Sequence, residues 1–319
     1  MNVSKIALLA AVATLVSTAT SAADAPDVVV SIKPLHSLVA SIMQGVGEPE
    51  LIVDGAASPH TYSLRPSNAQ ALEKAKVIFW AGPGLEAFLQ KPLEALGTNA
   101  QVVELDNAPG LVKLPFREGG AFEAHDDGDH DHATEAHEDG HDHDHGEFDT
   151  HLWLDPMNAK AMAQEITMTL VAADPANALT YEANAKALDD RLDALDTKIV
   201  DVVSPVKDKP FIVFHDAYQY FEHRYGVRVA GSITVNPETI PGAARISDIH
   251  AKVAELGATC VFAEPQFEPR LINVVIEGTP AKSGVLDPEA ATLKAGPDLY
   301  FELMHGIARS LKDCLAQES

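Results

Sequence analysis

The sequence predicts an α/β protein built as two (β/α) lobes with mainly parallel strands. Short apolar runs rich in β-branched residues alternate with segments of helical spacing, the pattern of strand-helix units. About 296 residues remain once an N-terminal leader is set aside, enough for one large core or two medium ones, with two the better fit. A long uninterrupted helical stretch lies halfway along this remainder, with a second run of strands after it.

In chain order, strands are expected at 28–32, 50–53, 77–80, 102–105, 211–214, 227–233 and 260–263. Helical spacing of apolar residues covers 35–43, 66–74, 85–96, 246–256 and 298–315. No turn carries a GxGxxG or GxxxxGK[ST] pattern, so nothing supports a nucleotide site. In the middle, Asp174 reads as an N-cap and Pro175 as a first-turn residue. From there the chain runs to Val203 without another Gly or Pro, and Leu179, Leu188, Leu192, Leu195, Ile199 and Val202 form an apolar face. At 1.5 Å per residue that helix is about 40 Å long. It ends at Ser204-Pro205 before the second set of strands, which makes it a backbone between lobes. The resulting division is a leader at 1–23, an N-terminal lobe at 24–172, a linker helix at 173–204 and a C-terminal lobe at 205–319.

The leader reads as an export signal: Lys5, an apolar run from Ile6 to Val16, and the small residues Ser21-Ala22-Ala23. The apolar run has about half the roughly 20 residues that a membrane span needs, so a soluble exported chain starting near Asp24 is expected. The net charge of −24 is concentrated: residues 118–149 hold thirteen acids and no Lys or Arg, leaving about −11 elsewhere. With no basic stripe for phosphates, nucleic acid is excluded as an expected partner. The two cysteines, Cys260 and Cys314, would sit where disulfides persist and are expected to bond to each other. The rival reading, two soft metal ligands, is weaker because neither has a nearby Cys or His at metal-site spacing.

Residues 125–145 contain His125, His130, His132, His137, His141, His143 and His145 among Asp, Glu and small residues. No core can form from that composition. A disordered acidic linker is one reading, but imidazoles that are largely neutral at pH 7, embedded in carboxylates, favour a solvated metal-attracting loop. Of the seven other histidines, three occupy apparent strand ends or helix approaches: His60, His151 and His215. Open α/β sheets bind ligands at such places, although ligands this far apart in sequence have no short signature. His36, His223, His250 and His305 lie on helical patterns and read as surface or packing residues. Trp80, Trp153, Tyr218, Tyr220 and Phe221 read as core.

Gly55 to Ser67 (GAASPHTYSLRPS), with HLWLDP at His151, FHDAYQYF at Phe214, TVNPE at Thr234, PGAARI at Pro241, TCVFAEPQF at Thr259 and LDP at Leu286, resembles in motif and order the ZnuA-type zinc-binding components of bacterial ABC importers. The resemblance spans essentially the whole exported chain, including the acid- and histidine-rich insertion. It implies two (β/α) lobes joined by a rigid long helix, with a metal in the cleft between them. It further implies that His60, His151 and His215 are the three imidazole ligands, and that the two cysteines form the disulfide of some members. Several members carry an acidic residue directly before the first histidine, where this chain has Pro59. The fourth ligand is then a water or Asp287, which matches a carboxylate ligand of related metal-binding proteins.

Three neutral imidazoles and one oxygen suit tetrahedral Zn²⁺, whereas Mn²⁺ prefers more oxygen donors. Asp155, Asp216, Glu264 and Tyr218 are candidates to orient ligand rings, with N-capping the competing role for Asp155. The expected function is periplasmic zinc capture and delivery to an ABC importer's permease and its cytoplasmic ATPase. The histidine loop would be an auxiliary low-affinity collector or sensor. A periplasmic zinc metallochaperone is a further candidate partner, and a monomer is the simplest state. Two other classes compete. A zinc hydrolase would use the same His₃-water set, but there is no HExxH helix or motif-placed general base. A metal-storage or adhesion protein would need only the loop.

Overall fold

The computed structural model describes residues 25–117, 121–122, 148–234, 237, 240–257, 259–267 and 270–316. The expected leader and all seven loop histidines, His125 to His145, lie outside the described residues. Two four-stranded parallel sheets form the frame. The first has the order β2-β1-β3-β4 and is built from β1 Val28–Val30, β2 Glu50–Leu51, β3 Val77–Trp80 and β4 Gln101–Glu104. Its helices are α1 Lys33–Ile42, α2 Pro66–Lys74 and α3 Ala87–Leu96. The inner strands β1 and β3 are apolar at every position and buried throughout, because parallel strands covered on both faces need no polar alternation.

After α4 Pro156–Ala173 and α5 Ala178–Val203 comes the second sheet, of order β6-β5-β7-β8. Its strands are β5 Pro210–His215, β6 Arg228–Thr234, β7 Cys260–Ala263 and β8 Lys282–Val285, with α6 Gln219–Tyr225, α7 Ala243–Leu256, α8 Arg270–Ile276 and α9 Leu299–Leu315. The two-residue period of a strand divides β5 between two cores. Phe211 and Val213 join the large core, which also takes in α1, α5 and α9. Ile212 and Phe214 face a smaller one under α7 and α8.

Several expectations change. β8 was not anticipated, since Lys-Ser-Gly-Val carries almost no apolar signal; its place in the sheet comes from pairing with β7. The seven-residue helices α6 and α8 are too short to show a helical period. The long helix begins at Ala178, after a 3-10 turn at Pro175–Asn177. Asp174 makes no backbone cap; its carboxylate accepts from the Asn177 amide and the Tyr181 hydroxyl. The buried stripe runs Tyr181, Leu188, Leu192, Leu195, Ile199, Val203. Leu179, two residues out of phase with Tyr181, is 82% exposed.

Helix α5 packs against α1 and α4 of the first half and against α6 and α9 of the second, and α9 also touches α1. Cys260 and Cys314 form the expected disulfide, with Cα atoms 6.2 Å apart, tying the first residue of β7 to α9. Among the described residues no helix is long and apolar enough to cross a membrane.

Candidate metal centre

His60 lies in the turn region between β2 and α2. That connection is fastened by Asn68: its side-chain oxygen accepts from the Arg65 N–H (3.1 Å) and the Tyr62 hydroxyl (3.2 Å), and its amide reaches the Ile52 carbonyl. The His60 N–H donates to Ser58 Oγ. His215 is the last residue of β5. The neighbouring strand β7 ends one residue before Glu264, so adjacent strand ends bring the two side chains into contact. Both carboxylate oxygens of Glu264 lie 2.7 Å from His215 Nδ1.

His151 lies on the approach to a helix, as expected, and no sheet strand delivers it. It opens a 3-10 turn at Leu152–Leu154, just beyond the chain leg that pairs Phe148 with Pro115. Asp149 holds it, accepting from its backbone N–H (3.0 Å) and lying 2.7 Å from its Nδ1. Tyr220 braces Asp149: its hydroxyl donates to the Asp149 carbonyl (2.7 Å) and accepts from the Leu114 N–H (3.1 Å).

Each route aims an imidazole at one point. One ring nitrogen from each of His60, His151 and His215 falls in a group whose members all lie within 4.8 Å of one another. His151 Nε2 and His215 Nε2 are 3.3 Å apart, which matches the edge of about 3.3 Å for a tetrahedron with 2.0–2.1 Å metal–nitrogen bonds. With each Nδ1–H donated to a carboxylate, these Nε2 atoms present facing lone pairs. That arrangement needs a cation or a proton between them. His60 Nε2 is also buried without a hydrogen-bond partner. Burial, and then the neighbouring His151 and His215, hold the His60 ring well below the ordinary histidine pKa, so it is neutral and a ready donor. Burial also opposes charging of His215, but the Glu264 carboxylate outweighs it and the ring sits above its ordinary value.

Of the expected orienting groups, Glu264 takes that role. Asp216 instead pairs with Arg117, which also binds Glu222 and stacks on Phe122. Asp155 caps α4, accepting from the Met157 N–H. The Tyr218 hydroxyl is buried without a partner and is held neutral by burial and by Glu264, Asp287 and Glu289. Asp287 stands outside the imidazole group. Its oxygens face its own loop, accepting from the Glu289 N–H (3.2 Å), the Thr292 N–H (3.4 Å) and the Gln266 amide (3.3 Å). The carboxylate beside the cluster is Glu289, 8% exposed, with Oε1 3.9 Å from His60 Nε2.

Asp149 and Glu289 were missed in the sequence. Asp149 counted as one more acid of the insertion, and Glu289, two residues past Asp287, had no motif to rank it. His36, His223, His250 and His305 do not join the cluster; His36, for example, is buried with Nε2 on the Pro49 carbonyl.

Two parallel α/β lobes with imidazoles from both halves of the chain meeting at one point define a two-lobed binding protein with a candidate metal centre. The model of the family described as zinc-uptake complex component A, periplasmic (ZnuA), matches residues 28–314. The chain belongs to this family. It is 57% identical over 306 residues to the high-affinity zinc uptake system protein ZnuA of Brucella suis, covering 91% of this chain and 92% of that protein. The protein of the same name from Yersinia pestis is 40% identical, covering 90% and 91%. A crystal structure of ZnuA superposes with a TM-score of 0.73 at 25% identity, covering 91% of this chain and 99% of the other. The periplasmic zinc-binding protein TroA from Treponema pallidum shares the fold, with a TM-score of 0.76 at 20% identity and coverage of 92% and 100%.

Proposed function

We propose that this chain captures Zn²⁺ in its interlobe cleft in the periplasm. It then delivers the ion to the permease of an ABC importer driven by a cytoplasmic ATPase, and performs no catalysis. The observation that carries this reading is the meeting of His60, His151 and His215 within 4.8 Å of one another, with the His151 and His215 Nε2 atoms at tetrahedral-edge spacing and carboxylates behind those two rings. The relatives' printed names, high-affinity zinc uptake system protein, support zinc as the cargo.

His60, His151 and His215 are the proposed ligands, and an oxygen fills the fourth position. Glu289 needs a shift of only about 0.6 Å at His60 to reach tetrahedral spacing. Asp287, the carboxylate expected from the sequence, is instead engaged by its own loop. A water is the remaining choice. The seven histidines from His125 to His145 serve as an auxiliary low-affinity metal collector or sensor. The protein acts as a monomer, and a periplasmic zinc metallochaperone is a compatible donor.

Calorimetry on the full chain and on a chain lacking residues 120–147 tests the reading, together with an anomalous map at the zinc edge. One tight zinc per chain in both proteins, lost in His215→Ala, is expected. Loss of the tight site on deleting the loop, or anomalous density away from the three imidazoles, overturns it.

A further inference from the structure

We propose that Lys33 is a positioning residue for the cleft. From the first lobe it pins the second-lobe loop that carries Glu289, and so sets how firmly a bound cation is held. The inference rests on the cleft reading above and on Glu289 as its oxygen donor.

Lys33 opens α1 and is 4% exposed. A lysine is rarely buried to that extent unless partnered. Its partners here are three carbonyls from one short stretch of the other lobe: Ala290 (3.1 Å), Ala291 (2.9 Å) and Leu293 (3.0 Å). An ammonium has three N–H donors, so the whole head group is spent on this loop. The backbone there is unusual, since Ala290 has φ +58°, the one positive value at a non-glycine residue among those described. A side-chain-bearing residue enters that region only when its surroundings impose it, and Lys33 grips the carbonyls of that residue and the next.

On the other side of Glu289, the Trp153 indole N–H donates to the Pro288 carbonyl (2.8 Å), two residues along from His151. Asp287 braces the loop from within through the N–H groups of Glu289 and Thr292. Glu289 is thus held between a tether at 288 and another at 290–293, both anchored in the first half of the chain. Neither tether is among the imidazoles of the cluster. Lys33 therefore acts on the ion only through the loop: it preorganises the carboxylate beside His60 and joins the lobes at the point where the ion sits. Outer groups that orient metal ligands typically carry 10- to 100-fold in affinity.

The test is a double-mutant cycle of Lys33→Met and Glu289→Gln in the full chain. Zinc affinity is read by competition with a chromogenic chelator, zinc release by stopped flow, and folding by apo thermal melts. Lys33→Met is expected to weaken zinc binding about 10- to 100-fold and to speed release. In the Glu289→Gln background it should change affinity by less than about threefold, because a purely structural lysine would give additive losses. An unchanged affinity in Lys33→Met, or the same loss in both backgrounds, overturns the inference. So does a Glu289→Gln protein that binds zinc like the parent, which would leave the three-imidazole reading standing. If Lys33→Met does not fold, Lys33→Arg takes its place in the cycle. Its planar fork keeps the charge but cannot converge on three carbonyls, and the same outcomes decide. His151→Ala and His215→Ala run alongside, and tight binding retained in both sinks the cleft reading whatever Lys33 does.

Discussion

His215 shows how one side chain is prepared for a cation by its neighbours. Glu264 touches its Nδ1, is 3% exposed, and lifts the ring above its ordinary pKa against the pull of burial. A proton is therefore retained near His215 in the absence of metal until the pH exceeds that raised value. On the proposed ligand assignment zinc displaces it, so apparent affinity is expected to fall as pH drops below that value. Calorimetry at pH 6.5 in buffers of different ionisation enthalpy should report net proton release. A heat independent of buffer would contradict this. Glu264→Gln removes the charge behind the ring and should cost about 10- to 100-fold in zinc affinity, measurable by chelator competition. Asp149 likewise lies against the Nδ1 of His151, at 2.7 Å. At this scale the imidazoles were legible from motif and position, whereas Asp149 and Glu289 were not, because an orienting carboxylate has no sequence signature apart from the group it faces.

At the element scale, the connection after β3 is held by a buried acid. Glu86 is fully buried and accepts from the Ala81 and Gly82 N–H groups. Burial outweighs those bonds and pushes its pKa from 4.5 up to about 7. The folded value lies above the unfolded one, so the unfolded chain loses its proton first. Stability contributed by protonated Glu86 is complete below about pH 4.5 and is lost as pH rises to about 7, a change of at most about 3 kcal/mol. Glu86→Gln keeps an acceptor for the two N–H groups but does not titrate. It should be more stable than the parent in urea at pH 8 and equal to it near pH 4.5; equal stability at both values would refute the assignment. The disulfide is the other element-scale device. It closes a separation of 54 residues, and a Cys260→Ser, Cys314→Ser protein should lose about 4 kcal/mol in the chain-entropy model, read from urea midpoints under oxidising conditions.

Over the whole molecule, α5 and α9 act as shared struts. α5 packs on helices of both halves, α9 reaches α1, and the lobes are further joined by Ser41 to the Pro297 carbonyl and by Tyr300 to the Trp153 carbonyl. Moving the lobes widely apart would break these contacts together. Only a small change between zinc-free and zinc-bound states is expected, so small-angle scattering curves of the two should nearly superimpose. A large hinge rotation would contradict this arrangement.

Local composition carries much of the design. Buried parallel strands announce themselves as short continuous apolar runs, β3 and β7 fall at the expected residues, and the cysteine pair follows from number and compartment. These features are legible because each depends on neighbours along the chain. Strand β8 and the start of α5 depend on partners elsewhere: β8 exists because β7 offers it a ladder, and Asp174 turns from a cap into a partner of Tyr181. The same holds at the centre. The chain by itself determined which imidazoles were available and that an oxygen was wanted beside them. Only the tertiary structure decided that Asp287 would face its own loop and Glu289 the cluster, because the direction of a side chain is set by the lobes that close around it.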